Sequence, residues 1–535
     1  MIKKVFITLL VIIFSLGALT FSVKGGKGDP VFYQKELDTR VGGPYEASNS
    51  SGRYALTKSI VEDNSLFLRE DLARFSSPDV VDFKGKYISI FTPGVSFLGV
   101  PFYLLGEKFG IPQLATYYLN IVATVLNILL IAIIVKKLNG NLIAGLLAGF
   151  TYTFATNAFT YGLTFTQHPL SVTMVLLSLL VAMGKRTLFK NISFGALFGI
   201  GFLIDFPNAF FLVPIGLYIL SQHFNKEKIG DKVRINIKII FIITLLGLIP
   251  FAGLFGWYNQ ETTGSYFKLG QSIGRSEKFS VNLDPHVAAK VPENNDDESD
   301  DNSGGLSLPF DSRNQLEGFY ILMISNERAW IFYSPVILLG IIGFWFLYKK
   351  KENQGFVVVA SGVILLDIVL YSMFGDPWGG WAFGPRYLIP AAAVLAIGIG
   401  ELISRFKKNI IFLVVFFILF SYSVFINTAG VMTTNSIPPK VEALNLPTKI
   451  PYTYDYNLQL LNSNTTGSLF YNLYLSDSIS AKTLTYYFSA ILISAGVVLY
   501  LLTFLEKNPV SEQASPGKRF SFKNLPKIRK GDKNV

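Results

Sequence analysis

Long apolar runs constrain this chain more than any other feature. A helix needs about 20 consecutive apolar residues to cross a hydrocarbon core about 30 Å thick. The 535-residue chain offers about a dozen such runs, near 5–22, 116–135, 140–157, 168–184, 191–205, 206–222, 237–257, 329–348, 354–374, 387–403, 409–428 and 483–504. With 50% hydrophobic and only 16% charged residues, the composition is that of a membrane-embedded bundle, not a soluble domain. The basic start MIKK leads into an apolar run too long for a signal peptide core, which reads as a retained anchor. Cysteine is absent, so disulfides and thiol chemistry are excluded.

Lys and Arg beside the spans set the expected orientation, because such residues are retained on the cytoplasmic side. The clusters are Lys3-Lys4, Lys136-Lys137, Lys185-Arg186 with Lys190, five basics from Lys226 to Lys238, Lys349 to Lys351, Arg405 with Lys407-Lys408, and the tail. Twelve spans put all 26 of these basic residues on one side, with both termini cytoplasmic. A thirteenth span at 93–110 would move 24 of the 26 outside; its apolar core is short and reads as interfacial or re-entrant. The net charge of +11 thus belongs to cytoplasmic loops and tail, where anionic lipid suffices as partner and nucleic acid is not implied.

The expected fold is an all-α polytopic bundle of about 12 transmembrane helices in the cell membrane. An N-terminal anchor (1–22) precedes a large first extracytoplasmic loop with interfacial helices (23–115) and a transmembrane core (116–257). An acidic, partly disordered outer loop follows (258–328), then a second core carrying WGGWAFGPRY (329–428) and another outer loop (429–482). The last span (483–504) leads to a basic tail (505–535). The disorder expectation rests on VPENNDDESDDNSGG, too acidic and apolar-poor to pack and without the spacing of a calcium loop.

Several outer segments carry chemistry. In SSGRYALTKSIVEDN, Ser50 or Ser51 is expected to cap a helix that ends at Asp63-Asn64 and lies on the membrane with Leu56 and Ile60 downward. Lys84-Gly85 reads as a turn between short strands, with Lys86 and Tyr87 as candidate pocket residues. His168 begins a span, and Asp205 and Asp367 are in-span acids. At mid-bilayer such an acid costs about 2.5–3.5 kcal/mol on insertion scales, a cost that a helix break at Pro207 would relieve for Asp205. GDPWGGWAFGPRY, residues 375–387, combines three features. Arg386 sits at a helix start suited to an anion and matches phosphate geometry. Gly379, Gly380 and Gly384 let backbone approach a ligand. Trp378 and Trp381 offer flat faces for a sugar or apolar surface.

With GRYALTKSIVED, KYISIFTPG and WGGWAFGPRYLIP in hand, the chain resembles the GT-C superfamily of polytopic glycosyltransferases, which includes protein O-mannosyltransferases and aminoarabinose transferases. The resemblance implies an inverting transferase that moves a sugar from a polyprenyl-phosphate donor to a glycan, lipid or protein acceptor at the extracytoplasmic face. It also implies a carboxylate base in the first outer loop; Glu46 is the first candidate and Asp38 the second, although the Asp-Glu pair that some members carry after the first span is missing. Arg386, with Arg53 and Lys86, would hold the donor phosphate. Trp378, Trp381, Tyr387, Tyr54, Tyr87 and His168 would shape the pocket. No metal-ligating motif stands out, so no metal ligand is named and a divalent cofactor stays open. A non-catalytic lipid-binding scaffold of envelope assembly and a secondary transporter are the rival classes. The second conflicts with the absence of an evident internal repeat.

Overall fold

A computed structural model describes residues 2–25, 42–185, 187–222, 224–229, 232–237, 240–273 and 310–506. Asp38, the acidic run 291–305 and the tail beyond Glu506 lie outside them.

Each of the twelve apolar runs contains helix, but among the described residues only seven helices are long and apolar enough to cross a membrane and the other apolar helices are shorter. α1 (Ile2–Phe21) leads to the first loop, which folds as α2 (Ser48–Glu62), α3 (Glu70–Ser76), the hairpin β1 (Val80–Phe83) and β2 (Lys86–Ser89), and α4 (Gly94–Glu107). The first part of the bundle follows with α5 (Pro112–Asn139), α6 (Leu142–Phe154), the short α7 (Ala158–Tyr161), α8 (His168–Ala182), α9 (Leu188–Ile204) and α10 (Asn208–Ser221). A second hairpin, β3 (Phe224–Ile229) and β4 (Lys232–Ile237), leads into α11 (Ile240–Thr263).

The remainder comprises α12 (Gln315–Met323), α13 (Trp330–Tyr333), α14 (Leu339–Lys349), α15 (Gln354–Ser372), α16 (Ile389–Phe406), α17 (Ile410–Met432), α18 (Lys440–Ala443), α19 (Asp455–Asn462) and α20 (Ala481–Leu502). The run expected at 329–348 is broken, because Pro335 opens a 3₁₀ turn between α13 and α14. α16 is the central helix, buried at every position from Ile389 to Ser404. Gly340 and Gly398 let α14 approach it closely: a β-carbon on either would stand 2.2 Å from a carbonyl oxygen of the other helix.

One end of the bundle gathers Lys4, Lys190, Lys350 and Arg405. Lys4 pairs with Glu506, whose carboxylate also accepts the Leu142 and Ile143 N–H groups at the start of α6. Lys350 and Arg405 share Glu401, and Lys190 donates to the Ala182 carbonyl at the end of α8. α9 runs from this end to the opposite one, where the first loop sits, and α16 runs back.

That loop differs from expectation. α2 starts at Ser48, ahead of the expected caps Ser50 and Ser51, with Ala47 at its N-cap and no side-chain cap. It does not lie on a surface, since every residue from Asn49 to Ser59 is buried. It is instead enclosed by α3, α4 and β2. The Lys84-Gly85 turn forms as read, both residues with positive φ (53° and 75°), the conformation that two-residue hairpins require. Thr92 then donates to the Ile204 carbonyl at 2.9 Å. A β-carbon on Gly94 would stand 2.4 Å from the Leu203 carbonyl oxygen, so only glycine lets the loop seat on the end of α9.

Candidate active site

At the end away from the basic clusters, a cavity of about 420 Å³ opens between the first loop and the bundle. Asn49 and Arg53 reach it from α2, Asp79 precedes β1, and Gln167 precedes α8. Asp205 comes from the turn between α9 and α10, Tyr371 from the end of α15, and Asp376, Arg386 and Tyr387 from the segment ahead of α16. Two guanidinium groups therefore face three carboxylates across aromatic walls that include Phe91, Phe206, Phe310 and Phe374.

Arg53 is only 1% exposed. Its Nη1 donates to the Asn49 carbonyl at 2.8 Å, its guanidinium lies 3.9 Å from the centre of the Phe91 ring, and its Nε has no partner. Burial pulls its pKa down to about 10, while Asp205 and Asp79 pull it back up, so it remains a cation at neutral pH. Asp205 ends α9 in extended conformation (φ −162°), outside both flanking helices. Burial raises its carboxyl to about 6, against the opposing pull of Arg53 and a hydrogen bond from Gln167.

Arg386 lies against the backbone of Gly379, where a β-carbon would stand 2.6 Å from Nε and φ is +75°. Glycine is thus needed there twice over, for space and for conformation. The Arg386 Nε also lacks a partner, and its guanidinium stands 5.2 Å from the Tyr387 ring centre. Tyr387 stacks on Tyr371 at 4.2 Å and 3° between planes, forming a flat wall. The helix start expected to receive an anion is already occupied: Asp367 of α15 accepts the Ala391 N–H at 2.9 Å. Any anion in the cavity therefore meets guanidinium groups, not the helix end.

Of the residues expected to form the site, Arg53, Arg386 and Tyr387 line the cavity; the others do not. Glu46 is spent elsewhere: it pairs with Lys24 and accepts from Thr434 and from the N–H groups of Gly42 and Asn435, stitching α1, the first loop and residues 433–436 together. Tyr54 is fully buried against Tyr45, 4.8 Å between ring centres. Lys86 caps the Phe67 ring at 4.2 Å, and Tyr87 pairs with Asp82 in the hairpin. His168 is 3% exposed and stands edge-on to Tyr161, behind the wall that its neighbour Gln167 lines.

The tryptophans act as fasteners. Trp378 Nε1 donates to Glu327 at 2.7 Å and Trp381 Nε1 to Glu442 at 2.5 Å, so their polar edges are tied to the segments that carry those carboxylates. Arg328 completes this anchorage, donating to the carbonyls of Trp378, Ile437 and Glu327 at 3.1, 3.0 and 2.8 Å. Asn49, Asp79, Gln167 and Asp376 were missed as site residues. Asp376 had a readable signal, since it sits inside the glycine-rich island; a lone Asp79 ahead of a strand had none. Among the described residues, no three of His, Cys, Asp and Glu group closely enough to hold a metal ion.

The fold is thus a helical bundle with a cavity at one end that opposes guanidiniums and carboxylates on aromatic walls, and seven of its described helices are long and apolar enough to cross a membrane. Residues 101–257, which include the cavity residues Gln167 and Asp205, match the family model described as dolichyl-phosphate-mannose-protein mannosyltransferase. No curated protein matches the chain. Among solved structures it is similar to ArnT from Cupriavidus metallidurans in the apo state, at 11% identity and TM-score 0.45 over 92% of this chain and 76% of that one. ArnT bound to undecaprenyl phosphate gives 14% and 0.44 over 94% and 75%. The Archaeoglobus fulgidus oligosaccharyltransferase complex with Zn and sulfate gives 12% and 0.44 over 80% and 54%.

Proposed function

We propose that this protein transfers a sugar from a polyprenyl-phosphate donor to an acceptor hydroxyl at the extracytoplasmic face of the cell membrane, with both termini cytoplasmic. The observation that carries the reading is the pair Arg53 and Arg386, two buried guanidiniums with unpartnered Nε groups facing one cavity. A phosphate between them satisfies both, and charge-assisted bidentate contacts suit its geometry. The sugar ring lies on the flat wall of Tyr387 and Tyr371.

The base is a cavity carboxylate, not Glu46, whose oxygens are all engaged. Asp205 suits the role because a carboxyl raised to about 6 accepts a proton better near neutrality than an ordinary one. The acceptor oxygen attacks the anomeric carbon from the face opposite the phosphate, the carbon–phosphate oxygen bond breaks, and Asp205 takes the hydroxyl proton. The leaving polyprenyl phosphate keeps the bonding pair, its charge met by Arg53 and Arg386. The product is inverted at the anomeric carbon.

The test is release of polyprenyl phosphate by the purified protein in lipid, given polyprenyl-phosphate sugars and candidate acceptors. Arg386→Ala is expected to weaken donor use at least tenfold and Asp205→Asn to abolish turnover with donor binding retained. Undiminished release from the variant carrying both changes overturns the site; no donor binding by the wild type overturns the function.

A further inference from the structure

The bundle holds a second cavity that sugar transfer does not use. It encloses about 470 Å³ between α1, α5 and α6, walled by Leu129, Ile133, Leu142 and Leu146 and bounded at one end by Lys136 and Lys137. A water's share of volume is about 30 Å³, and a water needs polar partners. This space is far larger and its walls are apolar, so it is built for hydrocarbon. It opens towards the bilayer, because Ile133 is 38% exposed and the neighbouring α1 residues Phe6 and Leu9 are more exposed still.

The two lysines set the chemistry of the other end. Both are exposed and lie in the last turn of α5. Three other basic residues at this end of the bundle are committed: Lys4 pairs with Glu506, and Lys350 and Arg405 pair with Glu401. Among the described residues, Lys136 and Lys137 make no ion pair. An apolar slot that ends in two unspent positive charges matches a molecule with an acyl chain and an anionic head. We propose that this groove is a binding site for an anionic phospholipid, its phosphate on Lys136 and Lys137 and an acyl chain along Leu129, Ile133, Leu142 and Leu146. The site is separate from the transferase cavity and stands whether or not the proposed reaction is correct.

The experiment uses the full chain in nanodiscs of phosphatidylcholine alone or mixed with phosphatidylglycerol, with retained lipid counted by native mass spectrometry and unfolding followed by heating. Phosphatidylglycerol is expected to be retained preferentially and to raise the melting temperature. The Lys136→Gln, Lys137→Gln double variant is expected to bind it roughly thirtyfold more weakly, each lysine contributing a surface-charge increment. Lys136→Arg with Lys137→Arg should keep the preference, which separates charge from folding, and Ile133→Trp should lose it by filling the slot. Equal retention of the two lipids, an unaffected double glutamine variant, or an equal melting shift from inorganic phosphate alone overturns the proposal.

Discussion

Lys24 and Glu46 form an ion pair in which each side chain is only 3% exposed. Removing one partner from such a pair leaves the other charge buried and uncompensated, at about 3–5 kcal/mol. Glu46→Gln is therefore expected to lower the unfolding midpoint strongly, while the folded fraction retains turnover. A large loss of kcat in a variant that melts like the wild type would return Glu46 to the chemistry.

Gly379→Ala tests the seat of Arg386. The new β-carbon meets Nε at 2.6 Å in a backbone conformation with φ +75°, a strain of roughly 1–3 kcal/mol. The guanidinium must move, so KM for the donor should rise at least tenfold with a small change in melting. Gly375→Ala, where a β-carbon has open space around it, is the control expected to change neither.

Asp205 predicts a pH signature. Its folded pKa of about 6 lies above its ordinary 3.8, so turnover that needs the carboxylate should rise as pH climbs through 6 and then level. Stability runs the other way. The folded state holds this proton more tightly, so the fold should lose on the order of 2–3 kcal/mol between about pH 4 and 6. Titrating both readouts in wild type and Asp205→Asn checks the assignment, because the asparagine variant should lack this component of the stability curve.

Asp367 links α15 to the first turns of α16 through the Ala391 N–H. Asp367→Ala should cost about 1–2 kcal/mol, the usual range for losing such a cap, and weaken donor use because Arg386 stands five residues upstream. Asp367→Asn keeps an acceptor oxygen and should restore both. Equal donor KM in the alanine variant and the wild type would confine the residue to the bundle.

The helices of the bundle were legible in the sequence because apolarity is a local property that each run displays independently, whereas their lengths were not, since only seven described helices reach spanning length. The Lys84-Gly85 turn and the end of α2 at Asp63 were legible for a similar local reason, whereas its start at Ser48 was not. α2 escaped its expected surface setting because enclosure on all sides is decided by partners far along the chain. The site was half legible: Arg386 and Tyr387 stand beside the glycines that make room for them. Glu46, Trp378 and Trp381 had the right chemistry for the expected roles, but their partners Lys24, Glu327 and Glu442 come from other segments and tie them down. Asp205 changed meaning because the fold brings Arg53, distant in sequence, to face it.

α16, which follows directly from Arg386, is buried along almost its whole length, whereas α1 and α11 turn most of their surface outward. Changes in bilayer thickness act first on helices that touch lipid, through tilt and mismatch. Arg386 is thus mounted on the part of the protein most insulated from the bilayer, and its reach should stay constant across membranes of different thickness.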